Sequence, residues 1–179
     1  MKIKTRLMRR LIFIDESGTN LAMTRRYARS EKGERARGSA PVNYGQNVTM
    51  IGAVDKSSVV AAMTVDGSTD GDVFLTFIEQ VLVPELREGD VVIMDNLGAH
   101  KTTAVQDAIV RAKAELLFLS PYSPDFSPIE QCWSKIKTYL RAQAARTREK
   151  LDECISTAIE LITVSDLLGW FNRCGYCLE

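Results

Sequence analysis

Two short stretches, "LIFIDES" at residues 11–17 and "DVVIMDN" at 90–96, are apolar on both alternating faces until each runs into acid. A strand of that pattern needs cover on both sides, so it belongs in the middle of a sheet layered between helices. With 179 residues and 45% hydrophobic content the chain fits one such domain. No apolar run approaches the ~20 residues of a membrane span. The basic N-terminus also meets "LIFI" without a small-residue cleavage site, so a cytoplasmic protein with no membrane partner is expected.

The order of segments around those strands sets the architecture. "NVTMIGAVDKSSVVAAMTVDG" reads as two β runs around "DKSS", a hairpin beside the first strand. The pattern then alternates. "TDGDVFLTFIEQVLVPEL" is helical, with Val73, Phe77, Ile78 and Val81 as its apolar face, and "DVVIMDN" is the fourth strand. "HKTTAVQDAIVRAKA" is helical and "AELLFLS" is the fifth strand; a helix follows from residue 128, then two more at about 147–163 and 165–174. Parallel neighbours need helical crossovers, so this order implies an α/β fold with a five-stranded mixed sheet and helices on both faces. One domain is expected over 1–179: a basic lead at 1–10, a core at about 11–145 and C-terminal helices at about 147–176.

Ligands of open α/β sheets bind beyond the carboxyl ends of the parallel strands. Asp15 ends strand one, Asp95 ends strand four, and a right-handed crossover makes those strands neighbours. Two adjacent carboxylates repel, and a divalent cation with a taste for oxygen, such as Mg2+, resolves the conflict. Glu16 competes with Asp15 but points to the opposite face of the strand.

A third acid follows a stiff loop. "SPYSPDFSPIEQCW", residues 120–133, holds three of the five prolines. Ser127-Pro128-Ile129-Glu130 reads as a helix start, with Ser127 and Glu130 forming a capping box. Glu130 is therefore either a cap or the third member of an acid cluster, held at its distance by the prolines. In that cluster two ions ~4 Å apart would activate a water and stabilise a leaving oxygen. Along the same helix Ile129, Trp133, Ile136 and Leu140 form the buried stripe, and Glu130, Ser134, Lys137 and Arg141 a neighbouring polar face.

Charge is segregated although the net is zero. Residues 1–46 carry 11 Lys+Arg against 4 Asp+Glu, leaving 12 against 19 for the rest. The long, Gly- and Arg-rich segment 18–46 lacks apolar periodicity, and its Arg25, Arg26, Arg29, Lys32, Arg35 and Arg37 suit a polyanion. Of four cysteines, only Cys174 and Cys177 have C-x-x-C spacing, with no second pair or nearby histidine to complete a zinc site, so reduced, packed thiols are expected.

"LIFIDESG", "VVIMDNLGAHK" and "PYSPDFSPIEQCWSKIK" together resemble the three catalytic blocks of the DDE transposases of the IS630/Tc1/mariner superfamily, which have a ribonuclease H-like fold. The blocks agree in order and strand context, and 34 residues separate Asp95 from Glu130, the spacing of DD34E elements. The resemblance spans roughly residues 10–165. It implies that Asp15, Asp95 and Glu130 are the catalytic, metal-binding triad, and that Asn96, His100 and Lys101 belong to the D-N-x-x-x-H-K block and Trp133 to the third. It further implies Mg2+, with Mn2+ as substitute, as two ions when DNA is bound, and a homodimer on transposon ends and target DNA. The arginine-rich segment matches a loop that contacts DNA or the partner subunit.

Two departures stand out. Many relatives have Asn where this chain has Ser127, an equally good cap. Relatives also carry an N-terminal helix-turn-helix region, whereas the first catalytic strand begins here by residue 11. The expectation is a chain lacking that half: a fragment, a decayed copy, or one frame of a frameshift fusion with an upstream helix-turn-helix polypeptide. Three rivals remain: a catalytically silent DNA-binding or dimerisation remnant, another ribonuclease H-like metal nuclease, and a phosphoacceptor domain. The last predicts strict β-α alternation, which three leading strands contradict.

Overall fold

The strand rich in apolar residues on both faces takes the centre of the sheet. In the computed structural model, which describes residues 9–120 and 124–176, β1 (Leu11–Asn20) lies third in the order β3-β2-β1-β4-β5. It pairs antiparallel with β2 (Asn47–Val54), which pairs antiparallel with β3 (Val59–Asp66) across the turn at Asp55–Ser58. On its other side it runs parallel to β4 (Val91–Met94), followed by β5 (Glu115–Phe118). The expected mixed five-stranded sheet is therefore present.

β1 is longer than its sequence pattern suggests. It continues five residues past Asp15 because β2 accompanies it as far as the Asn20–Asn47 pair. β4 pairs with it only from Leu11 to Phe13. Asp15 thus lies where β4 leaves its neighbour, not at the strand's end, and Asp95 is the first residue after β4.

Helices cover both faces, as two apolar faces require. Leu11, Phe13, Val91 and Ile93 face the layer made by α3 (Pro128–Gln143), α4 (Arg148–Glu160) and α5 (Val164–Arg173). Ile12, Ile14, Val92 and Met94 face α1 (Gly71–Thr76) and α2 (Thr103–Arg111). Among the described residues, no single helix is long and apolar enough to cross a membrane.

Three helix expectations need correction. The inward residues near α1 are Phe74, Phe77, Ile78 and Leu82, while Val73 and Val81 are only half-buried. After α1 the chain widens into a π-turn, Phe77–Leu82, where Val83 N–H reaches back to Ile78 O. The extra residue per turn brings Leu82 inward in place of Val81. The stretch from His100 is not one helix: a 3-10 turn, Gly98–Lys101, precedes α2, which starts afresh with Thr102 as its cap. Finally, Ser127 caps α3 by position only; its hydroxyl makes no capping bond, so the Ser127–Glu130 capping box is absent. Pro121 of the proline loop, residues 1–8 of the basic lead and Cys177 lie outside the described residues.

A complete capping box starts α5, where Thr163 and Asp166 exchange bonds and Lys135 of α3 also reaches the Asp166 carboxylate. The Lys135 bond leads the interactions that hold Asp166 down at about 2. Its stabilisation is present above the ordinary 3.8 and fades as pH falls toward 2. Asp166→Ala should lose about 1 kcal/mol at pH 7, the worth of a cap with an exposed ion pair, and so melt roughly 2–4 °C lower. Thermal melts at pH 7 and pH 2.5 check this: the gap should shrink at the lower pH.

Candidate active site

Strand alternation puts Asp15 on the same face as Leu11 and Phe13, toward α3. There Trp133, only 5% exposed, donates its indole N–H to Asp15 Oδ2 at 2.9 Å. The ring reaches this position because the residue opposite Asp15 on β2 is Gly52. A Cβ at Gly52 would lie 2.7 Å from Trp133 Cη2. Sequence reasoning missed Gly52; its only signal was a glycine inside a strand pattern, which often marks close approach of another group.

Asp95 accepts from Leu97 N–H at 3.1 Å, closing the turn after β4. Its Oδ1 also lies 2.6 Å from His100 Nδ1. His100 is 1% exposed, stacked on Phe74 with ring centroids 4.1 Å apart. Its other nitrogen faces Glu16 Oε1 at 3.6 Å, just beyond hydrogen-bonding reach. Glu16 indeed points away from Asp15's face, toward the α1–α2 layer. Burial opposes charge on His100, but Glu16 and Asp95 outweigh it, and its pKa is raised.

Glu130 is exposed on the first turn of α3; its backbone N–H donates to Ser127 O, but among the described residues its side chain makes no hydrogen bond or ion pair. Freed from capping, its carboxylate is available. Asn96 is half-buried beside Asp95, and exposed Lys101 stands 5.9 Å from the Phe118 ring centre. Burial, then Glu130 and Asp95, push the Asp15 carboxyl up to about 7 against the opposing bonds from Glu16 N–H and Trp133. Asp15 therefore feels both other acids. Yet among the described residues no three Asp, Glu, His or Cys side chains are drawn together tightly enough to cradle a metal as they stand.

The arginine-rich segment is exposed throughout Arg25 to Arg37. Its root is fastened by Arg146, just after α3, which donates to the carbonyls of Leu21 and Met23 at 2.8 and 3.0 Å. That brings Arg26 near α3's polar face. Burial and Arg141 lower the pKa of Lys137, with Arg26 adding to the effect and Glu130 and Asp15 opposing it. Burial and Arg26 likewise lower Arg141. Sequence periodicity placed Lys137 and Arg141 beside Glu130 but gave no sign that Arg26 joins them. The thiols do not contribute: burial pushes Cys132 up to about 12 and raises Cys174.

The DDE superfamily endonuclease family matches residues 10–152, which include all three acids. The chain belongs to that family. No curated protein matches the sequence. Among solved structures, a pre-cleavage Mos1 transpososome aligns with TM-score 0.80 and 17% identity over 98% of this chain and 56% of that one. A Mos1 mariner paired end complex with Mn gives 0.79 and 17% over 97% and 55%. The Mos1 transposase catalytic domain with Raltegravir and Mg gives 0.70 and 17% over 97% and 81%. This DDE chain thus has the ribonuclease H-like fold and spans a little over half the length of the transposase chains in those DNA complexes.

Two outcomes follow from the site's packing and charge. The unfolded chain releases the Asp15 proton near 3.8 and the folded chain near 7, so native stability falls as pH rises between those values. Asp15→Asn removes that penalty: it should melt at least ~3 °C above wild type at pH 8 and close to it at pH 4, as calorimetry would read. Gly52→Ala should cost about 1–3 kcal/mol of overpacking, read from the urea midpoint, and alter the tryptophan near-ultraviolet dichroism as Trp133 shifts.

Proposed function

We propose that this chain is the catalytic domain of a transposase of the Tc1/mariner group, cutting DNA phosphodiesters and joining the freed 3′-hydroxyl to a target strand. The observation that carries this reading is three carboxylates near the point where β1 and β4 part, none paired with Lys or Arg among the described residues. Asp15, Asp95 and Glu130 are hard oxygen donors of the kind that suit Mg2+ or Mn2+. Bound there, the metal would supply positive charge for the developing oxyanions and ease deprotonation of the nucleophile.

The chain's own contribution is position and charge. Trp133 holds Oδ2 of Asp15. Leu97 N–H and His100 engage the same oxygen of Asp95, and among the described residues nothing bonds Oδ2. Glu130 stands exposed on the first helix turn, where its carboxylate would meet a substrate that brings its phosphate between the acids. Lys137, Arg141 and Arg26 would offset the repulsion between that phosphate and the carboxylates, and Arg25, Arg29, Lys32, Arg35 and Arg37 would extend the track along the DNA backbone. Exposed Tyr27 and Tyr44 lie in the same segment. Pairing of two chains on DNA ends, as in the Mos1 complexes, belongs to the same proposal.

Nicking of supercoiled plasmid tests it. Cleavage should require Mg2+ or Mn2+ and fall at least ~100-fold in Asp15→Asn, Asp95→Asn and Glu130→Gln, as expected when a group acting only in the transition state is removed. Duplex binding should weaken with salt at a log-log slope of about −0.9 per phosphate contacted, and Arg26→Ala with Lys137→Ala should lower that slope by roughly 2. Binding without cleavage in either metal would favour the catalytically silent remnant.

A further inference from the structure

His100 stands between two carboxylates contributed by different strands: Asp95 after β4 at 2.6 Å from Nδ1, and Glu16 of β1 at 3.6 Å from Nε2. We propose that Glu16 is a positioning residue for the DDE site, holding the His100 ring so that its Nδ1–H fixes the Asp95 carboxylate. The inference rests on the proposed function for its consequence, though not for its geometry.

Three observations carry it. The ring is buried and stacked on Phe74 with 26° between the planes, which restrains its plane but leaves rotation within that plane to its polar neighbours. Nε2 is buried with no hydrogen bond, a costly condition that a small approach by Glu16 would relieve. Glu16 sits next to Asp15 yet faces the other layer, so it links to the second acid through the imidazole while Trp133 supports the first from the opposite side. A histidine whose second nitrogen meets a carboxylate is the usual means of fixing ring orientation at such sites.

His100 is the only histidine in the chain, so its ring nitrogens can be read without assignment. Long-range proton–nitrogen spectra of 15N-labelled wild type and Glu16→Gln, metal-free and without DNA, test the link. In Glu16→Gln the Nε2 resonance should move, and the Nδ1 proton shared with Asp95 should exchange with water at least ~10-fold faster. Unchanged nitrogen shifts and exchange would overturn the proposal. In the nicking assay, kcat should fall ~10–100-fold with KM for DNA unchanged, the range found when a partner behind a site's ligands is lost, and Glu16→Asp should recover part of it. A loss confined to KM, or full activity in Glu16→Gln, would also overturn it. Should wild type not cleave DNA at all, the transposase reading fails, and the spectra alone decide whether Glu16 holds the ring.

Discussion

The indole of Trp133 lying on the bare backbone of Gly52 is the contact on which the site's geometry rests. Gly52 and Asp15 are directly paired across β2 and β1, so a ring seated on one presents its N–H to the other. Glu130 lies three residues earlier on the same helix, one turn away. Its location therefore follows from the burial of Ile129, Trp133 and Ile136 against the sheet, not from a capping bond at the helix start. Sliding α3 to move Glu130 would pull Trp133 off its glycine and strip Asp15 of its only side-chain donor among the described residues.

The two ends of the same sheet treat their acids differently. At the end where β1 and β4 begin, Arg10 bonds both Asp55 and Asp90, and Arg9 bonds Glu115. Burial works against ionised Asp55, yet Ser57, Arg10 and Ser58 overcome it and lower its pKa. At the other end, among the described residues, no Lys or Arg pairs with Asp15, and burial with Glu130 and Asp95 drives it the opposite way. Leaving a carboxylate half-buried and uncompensated works against folding stability. A cost kept at one end of a sheet and neutralised at the other is what the proposed function asks of the end that carries the acids.

Sequence periodicity disclosed the sheet because strands buried on both faces have few alternatives, and it placed Asp15 and Asp95 together because crossover handedness leaves one arrangement. It failed where the signal is local and the decision tertiary. Ser127 and Glu130 have the composition of a capping box, but the bond is not made. Val73, Phe77, Ile78 and Val81 have α spacing, but the chain builds a π-turn over Phe77–Leu82. The apolar pattern of β1 stops at its acid because the continuation, paired on one side only, is polar even where Ser17 and Thr19 are buried. Gly52 and the Glu16–His100 contact were hidden for a related reason: each matters through a partner distant in sequence.

Charge segregation gains its meaning only in three dimensions. A basic first quarter and an acidic remainder would separate into a tail and a body if the segment after β1 simply floated. Arg146 prevents this by tying Leu21 and Met23 to the end of α3, which returns Arg26 to Lys137 and Arg141. Burial with Arg141 and Arg26 lowers the proton affinity of Lys137, and burial with Arg26 that of Arg141, while burial with the other acids raises that of Asp15, so each cluster is unfavourable to itself. On the proposed function, a phosphodiester drawn in by the cations and held with metal at the acids would relieve both at once. An isolated acid cluster would repel its own substrate, and an isolated basic face would hold DNA without cutting it.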